Sequence, residues 1–322
     1  MKIGHWLHLK TRVLLAPLAG ITDFPFRQTA RTCGAHITFT EMVSANGLVF
    51  KNEKTMAMIS TFKKEQPVIV QLFGTDPSHM AEAATICEAA GASAIDVNMG
   101  CPQKKVVKTG AGAALMNTPE LAAKIVTKMV NEVSIPVTCK IRLGWDNKAI
   151  NAHSFAKILE QAGAAMITVH ARTRSQMFSG KANWHLVSRV KEQVSIPVVA
   201  NGDICCLLDA KRCFNESRAD GIMIGRAAIG RPWIIRTIQE GLETGKELLP
   251  DMNYVLEIIK YHLNAIEKFY NGYAAVKTAR KHLAWYTKGM KNSAAFRNDL
   301  FKIDSMSQIR ELAKDFFTKF KS

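Results

Sequence analysis

Residues 94–116 read AIDVNMGCPQKKVVKTGAGAALM, and the change of character along this stretch decides the architecture. Ile95, Val97 and Met99 recur at every second position, the pattern of a short buried strand. The strand breaks at Gly100-Cys101-Pro102, passes into a basic loop (Lys104, Lys105, Lys108) and ends in Gly110-Ala111-Gly112. That Gly-x-Gly lacks a third glycine and follows a loop instead of a strand, so the fingerprint of a doubly wound dinucleotide fold is missing. An amide (Asn98), a thiol (Cys101) and three ammonium groups therefore follow one strand end, the layout of a catalytic loop on a rigid scaffold. A structural cysteine beside a solvated lysine cluster is the plainer alternative.

Working outward, the strand pattern recurs at residues 13–18, 37–42, 68–73, 137–143, 166–170, 198–201 and 221–225. Amphipathic stretches of helical period lie between, among them 77–90, 119–130, 152–162 and 183–194. The phrase Val-Ser-Ile-Pro-Val occurs twice, at 133–137 and 194–198. Eight strands alternating with helices predict an α/β fold, a closed (β/α)8 barrel over residues 1–243.

Barrel chemistry collects where strands end. Here those ends carry Pro17, Leu18 and Ala19, then Glu41, Gln71, Asn98 with Cys101, and Lys140 with Arg142. His170, Arg172 and Arg174 follow, then Asn201-Gly202-Asp203 and Gly225-Arg226. The last two clusters fall where barrels hold a phosphate, in the loops after strands seven and eight. Lys140 is placed to face an electron-rich ring, or else caps the rim.

The composition narrows the function. Lysine and arginine exceed acidic residues by 43 to 27, a formal charge of +16 that favours a polyanionic partner. Seven cysteines form no Cys-x-x-Cys pair, so no metal site is expected and a reducing cytoplasm is. No apolar run approaches the roughly 18 residues of a membrane span. Residues 244–322 show helical periodicity alone and predict a separate helical domain. Residues 268–302 hold eight basic residues against one acidic, interleaved with aromatics. Lys277, Arg280, Lys281 and Tyr286 stand out there as RNA contacts, since cations neutralise phosphates and aromatics stack on unpaired bases.

The motifs APLAGITDFPFR (16–27), EMVSANGL (41–48), VQLFG (70–74), DVNMGCPQKKVVKTGAGAALM (96–116) and KIRLGW (140–145) resemble those of bacterial tRNA-dihydrouridine synthases, most like their B type. VHARTRSQMFSGKANW (169–184), VVANGDI (198–204), MIGRAAIGRPW (223–233) and ARKHLAWY (279–286) extend the resemblance over nearly the whole chain. It implies an FMN enzyme re-reduced by NADPH, with a C-terminal tRNA-binding domain, acting as a cytoplasmic monomer. Pro17, Leu18 and Ala19 would line the flavin, Gln71 and Lys140 would hydrogen-bond its ring, and His170 would lie beside it. Asn201, Gly202, Asp203, Gly225 and Arg226 would hold its ribityl chain and phosphate. Cys101 corresponds to the proton donor, and Asn98 and Arg172 to contacts with the uridine. Two other readings stay open: an FMN barrel acting on a free pyrimidine, in the manner of dihydroorotate dehydrogenase, and a non-catalytic RNA-binding barrel.

Overall fold

The computed structural model describes residues 1–4, 7–8, 11–62 and 65–320. Eight strands are all parallel: β1 (Val13–Leu15), β2 (Thr38–Ser44), β3 (Val68–Phe73), β4 (Ala94–Met99), β5 (Val137–Arg142), β6 (Ile167–His170), β7 (Val198–Asn201) and β8 (Gly221–Ile224). Neighbours in sequence are neighbours in space, and β8 returns to pair with β1, Ile222 opposite Val13. The barrel is thus closed except for a seam between β1 and β2, where no ladder forms among the described residues.

Strand β1 stops at Leu15, short of the expected residue 18. Pro17 has no N–H to donate, and the chain then turns on itself, the Leu18 carbonyl accepting from Ile21 and Thr22 N–H. Strand β2 runs on to Ser44 through an irregularity between Phe39 and Met42.

Helix boundaries follow local chemistry. The helix Pro77–Ala90 starts where Asp76 accepts from the N–H groups of Ser78 and His79, with proline in the first turn, and stops at Gly91, φ +105°. The repeated Val-Ser-Ile-Pro-Val phrase is one device used twice. Glu88 accepts from Ser134 N and Ile135 N at 2.9 and 3.2 Å, and Glu160 from Ser195 N and Ile196 N at 2.6 and 3.2 Å. In each case a carboxylate at a helix end holds the turn leading into the neighbouring strand.

Among the described residues the buried apolar side chains form three clusters. One lies between strands and outer helices. A second fills the lower barrel interior with Leu14, Phe39, Ile69, Met166, Val199 and Met223, and Ile3 packs into it. The third belongs to the C-terminal helices α1 (Met252–Phe269), α2 (Gly272–Tyr286), α3 (Ser293–Leu300) and α4 (Met306–Thr318), joined by Cys33 and Trp233 from the barrel. This tail docks on the barrel helix Phe24–Thr32, where Phe26 meets His262 and His282 at 5.8 and 5.7 Å between ring centroids. No helix among the described residues is long and apolar enough to cross a membrane.

Arg27 of that helix makes a two-pronged ion pair with Glu65, Nε to Oε2 at 2.7 Å and Nη2 to Oε1 at 2.5 Å, both side chains almost wholly buried. Removing one partner strands the other charge away from water. Glu65→Ala is expected to cost about 3–5 kcal/mol, read as a lower urea midpoint at unchanged slope.

Candidate active site at the barrel mouth

Along β4 the alternation sorts residues by chemistry. Ile95, Val97 and Met99 pack outward beneath the helices, so Asp96 and Asn98 point into the barrel. The parallel register sets Gln71 opposite Asp96, Asp96 opposite Thr138, Asn98 opposite Lys140, Arg142 opposite His170 and His170 opposite Asn201. These residues build a polar layer above the apolar plug.

One hydrogen-bonded chain orders that layer. Asn98 Oδ1 accepts the N–H groups of Gly100 and Cys101 at 3.2 and 2.9 Å. A main-chain N–H can only donate, so the Asn98 amide is oriented without ambiguity. Its Nδ2 donates to Gln71 Oε1 at 2.7 Å, and Gln71 Nε2 donates to Asp96 Oδ2 at 2.6 Å. Thr138 Oγ1 donates to Asp96 Oδ1 at 2.7 Å. The fully buried carboxylate of Asp96 thus fixes both amides and, through them, the backbone at Cys101. One hydrogen of the Gln71 amide remains for a ligand.

Cys101 sits at the end of this chain, nearly buried. Burial pushes its thiol up, while the Gln103 N–H, Arg142 and Lys140 pull it down, and burial wins. The thiol is therefore held protonated. Lys104 and Lys105 stand on a separate helical turn, Lys104–Val107. The glycines that follow have a steric purpose: a Cβ on Gly112 (φ +62°) would lie 2.8 Å from the Cys101 carbonyl oxygen and 3.1 Å from its Cβ. Only glycine lets the chain fold back this closely over the cysteine.

Lys140 is half-buried near Arg142 and Asp96, and desolvation brings its ammonium down to about 8. Its Nζ donates to Asn201 Oδ1 at 3.1 Å, and Asn201 Nδ2 donates to the Met223 carbonyl at 2.7 Å. Burial, then the cations Lys140, Arg142, Arg172 and Arg226, hold His170 well below its usual range, a neutral imidazole. Arg142 is tied to the carbonyls of Gly100, Thr173 and Met177.

The rim after β6, β7 and β8 has the features of an anion cradle. Gly202 (φ +119°) and Asp203 (φ +55°) make a tight turn, and a Cβ on Gly202 would meet His170 and Ala182 at 3.1 Å. Asp203 bridges Arg172 at 2.5 Å and Arg226 at 3.3 Å. Arg172 also donates to the carbonyls of Ser179 and Gly180, yet its buried Nη1 has no partner among the described residues. A Cβ on Gly225 would stand 3.9–4.0 Å from Ala16, Asn201 and Leu18, in the space those residues border. An unsatisfied guanidinium nitrogen, a glycine-floored gap and two arginines fit a phosphorylated, planar cofactor. Pro17, Leu18 and Ala19 follow β1, and of these Leu18 borders that space.

The tail residues divide differently from the sequence expectation. Lys277 is exposed. Lys281 reaches the barrel, its Nζ donating to the Gly20 carbonyl at 2.6 Å. Arg280 is buried and tied to Asp304 and the Ile303 carbonyl. Tyr286 is buried too, its hydroxyl 3.1 Å from His262 Nδ1. Neither offers a surface on which a base could stack, because helical period alone cannot tell the packed side of a helix from the wet one. Exposed Tyr273 and the exposed Lys288 and Lys291 stand on the accessible side.

Two residues, Asp96 and Phe178, escaped the sequence reading of the site, and a third was read only in part. Asp96 was visible as a carboxylate inside an apolar strand, a signal in itself. Arg142 was noticed only as a strand-end charge. Phe178 gave no signal, being one apolar residue in a polar loop; it is exposed, 6.3 Å from the His170 ring, with Arg226 over its face at 5.1 Å.

Asp96 provides a test of this arrangement. Burial pushes its carboxyl up from 3.8 to about 6 against the hydrogen bonds from Gln71 and Thr138 and the charge of Lys140. Between these values the folded state keeps a proton that the unfolded chain has released, so this group's contribution to stability falls as pH rises through the window. The unfolding free energy of wild type minus that of Asp96→Asn should drop between pH 4 and 6 and level off above about 7, measured by urea denaturation at each pH.

Against known proteins, residues 14–321 match the family model described as Dihydrouridine synthase (Dus). The chain is 41% identical over 320 residues to a protein of Rickettsia bellii (strain RML369-C) named "Probable tRNA-dihydrouridine synthase", covering 99% of this chain and 98% of that one. It is 43% identical over 298 residues to the "tRNA-dihydrouridine synthase B" of Pasteurella multocida (strain Pm70), with 92% and 90% covered. With the protein of the same name from Escherichia coli (strain K12) it shares 40% over 322 residues, 99% and 100% covered. Among solved structures, the barrel superposes on the old yellow enzyme homologue of Zymomonas mobilis with a TM-score of 0.56 at 12% identity, over 79% of this chain and 94% of that one. A morphinone reductase gives 0.54 at 12%, over 78% and 91%. These structural likenesses concern the fold, whereas the match along almost the full length, with the thiol-bearing loop inside it, shows that the chain belongs to the dihydrouridine synthase family.

Proposed function

We propose that this protein reduces the C5=C6 bond of a D-loop uridine in tRNA, using FMN at the barrel mouth and NADPH as reductant, with Cys101 as the proton donor to C5. The observation that carries the reading is a buried thiol at the end of β4 whose backbone N–H is held by Asn98, with the cations of Arg142 and Lys140 nearby. Full-length relatives named as tRNA-dihydrouridine synthases support it.

Pro17, Leu18 and Ala19 would line FMN, with Lys140 and the remaining Gln71 hydrogen toward its ring and His170 beside it. Asn201, Gly202, Asp203, Gly225 and Arg226 would hold its ribityl chain and phosphate. Bound there, FMN supplies the hydride that adds at C6. The chain's residues do the rest. Asn98 and Arg172 orient the uridine, and Lys140 and Arg142 stabilise the negative charge that builds toward its C4 carbonyl. Cys101 Sγ delivers its proton to C5 as that charge develops.

A uridine in tRNA must leave its stack to reach the mouth, at a cost of a few kcal/mol that contacts elsewhere on the RNA offset. In this reading residues 244–322 supply them as the RNA-binding unit of a cytoplasmic monomer, and residues 1–243 form the catalytic unit. Lys277, Lys288 and Lys291 face the phosphates, Tyr273 offers a stacking surface, and Arg280, Lys281 and Tyr286 act by holding the tail together and against the barrel.

Two experiments test this. Cys101→Ala should keep its bound flavin and its reduction by NADPH but lose dihydrouridine formation by roughly 10²–10⁴-fold, followed by mass spectrometry of the tRNA; wild-type turnover would exclude the proton-donor role. Replacing Lys277, Lys288 and Lys291 together by alanine should weaken tRNA binding and reduce the slope of log affinity against log salt by about two to three.

A further inference from the structure

Beside the mouth, between barrel and tail, lies a second pocket of about 240 Å³ that the proposed reaction does not use. Its apolar walls include Phe24, Met58 and Phe269, with the two phenylalanine rings 5.3 Å apart and tilted by 49°. Asp23, Arg27, Thr40, Glu41, Lys54 and Tyr270 supply the polar surface. The pocket adjoins Gly20, whose N–H is held by Glu41 Oε1 and whose carbonyl is held by Lys281 of the tail. It therefore lies against the loop that follows β1, where barrel and tail meet.

The hydrogen-bond inventory of this pocket is lopsided. Asp23 is satisfied, Oδ1 accepting from Phe26 N and Oδ2 from the Tyr270 hydroxyl at 2.8 Å. Glu41 is half-used: Oε1 accepts from the Gly20 N–H, while Oε2 accepts no hydrogen bond among the described residues and stays open to a ligand. The Arg27 guanidinium in the same wall is spent on Glu65 and the Thr22 carbonyl, so a phosphate would face two carboxylates here, and it has ample basic surface elsewhere on a chain of charge +16. A flat ring with N–H donors complements the pocket instead. Cytosine and adenine set an acceptor nitrogen beside their amino group, and uracil flanks its single N–H with carbonyls. Guanine alone presents two adjacent donors, N1–H and the 2-amino group, to both oxygens of a carboxylate. Its neighbouring O6 then suits the ammonium of Lys54.

We propose that this pocket is a base-specific subsite for an unpaired guanine of the same tRNA, with Glu41 receiving its N1–H and 2-amino hydrogens and Phe24, Phe269 and Met58 enclosing the ring. The subsite rests on the reading of the substrate as tRNA. It selects which RNA is seated by reading a base other than the one that is reduced.

The test is equilibrium binding of the full-length protein to unmodified tRNA transcripts, which needs no turnover. Glu41→Gln keeps the shape of the side chain and an acceptor for the Gly20 N–H, but sets an amide donor against the guanine edge. Binding should weaken about tenfold. Unpaired guanines of the D-loop are then replaced one at a time by inosine, which lacks only the 2-amino group. One replacement should weaken binding to wild type and add little further loss to Glu41→Gln. Phe269→Leu, on the opposite wall and clear of the Gly20 loop, should lose affinity for that transcript least, which guards against a merely loosened loop in Glu41→Gln. Unchanged binding by both variants, or losses that multiply independently at every guanine, would overturn the subsite. If wild type binds and discriminates these transcripts but forms no dihydrouridine, the reaction proposed above fails and the subsite stands; if wild type binds no tRNA, both fall.

Discussion

A carboxylate enclosed in the barrel, out of reach of water, constrains everything above it. Asp96 must be met by donors because an unsatisfied buried acceptor is costly, and Gln71 and Thr138 meet it. Once the Gln71 amide is turned toward Asp96, its oxygen faces Asn98, whose own oxygen is already claimed by two backbone N–H groups. The chain reads consistently from both ends. A carboxylate at one end and a main-chain N–H at the other leave no freedom for either amide, and the thiol of Cys101 inherits that rigidity. Such an arrangement suits a proton donor, whose reach must be set within tenths of an ångström before the substrate arrives.

Barrel and tail are also linked at Gly20. This glycine lies in the loop after β1, its N–H donating to Glu41 of β2 and its carbonyl accepting from Lys281 of α2. Around this link the tail is seated by buried aromatic and imidazole rings. Burial, with Lys281 nearby, pushes His262 down to about 3, so the rings pack as neutral groups. The helical tail therefore bears directly on the loop that follows β1.

Much of the architecture was legible before any coordinates. Alternating strands and helices announced the barrel because each βαβ unit buries one apolar face, and that requirement is written locally. The boundary of the helix Pro77–Ala90 followed from Asp76, Pro77 and Gly91. The strand ends named the residues that gather at the mouth, since a parallel barrel must present all eight on one side. Less legible were the roles those residues take. Arg172 and Asp203 pair with each other, and Gln71 serves a carboxylate two positions into the neighbouring strand. Arg280 and Tyr286 looked like RNA contacts and are packing residues. A basic, aromatic helix has the same spacing whichever side it turns to its neighbours, so only the docking of α2 could divide Lys277 from Tyr286.

The sequence by itself determined the repeating unit, the helical tail, the family and the thiol-bearing loop, because each depends on residues close together in the chain or on motifs of local geometry. Tertiary structure alone decided which polar side chains are consumed in holding others and which keep a free hydrogen-bonding atom for a ligand. That division depends on shear between strands and on the seating of one helix, long-range quantities to which no short stretch of sequence is sensitive.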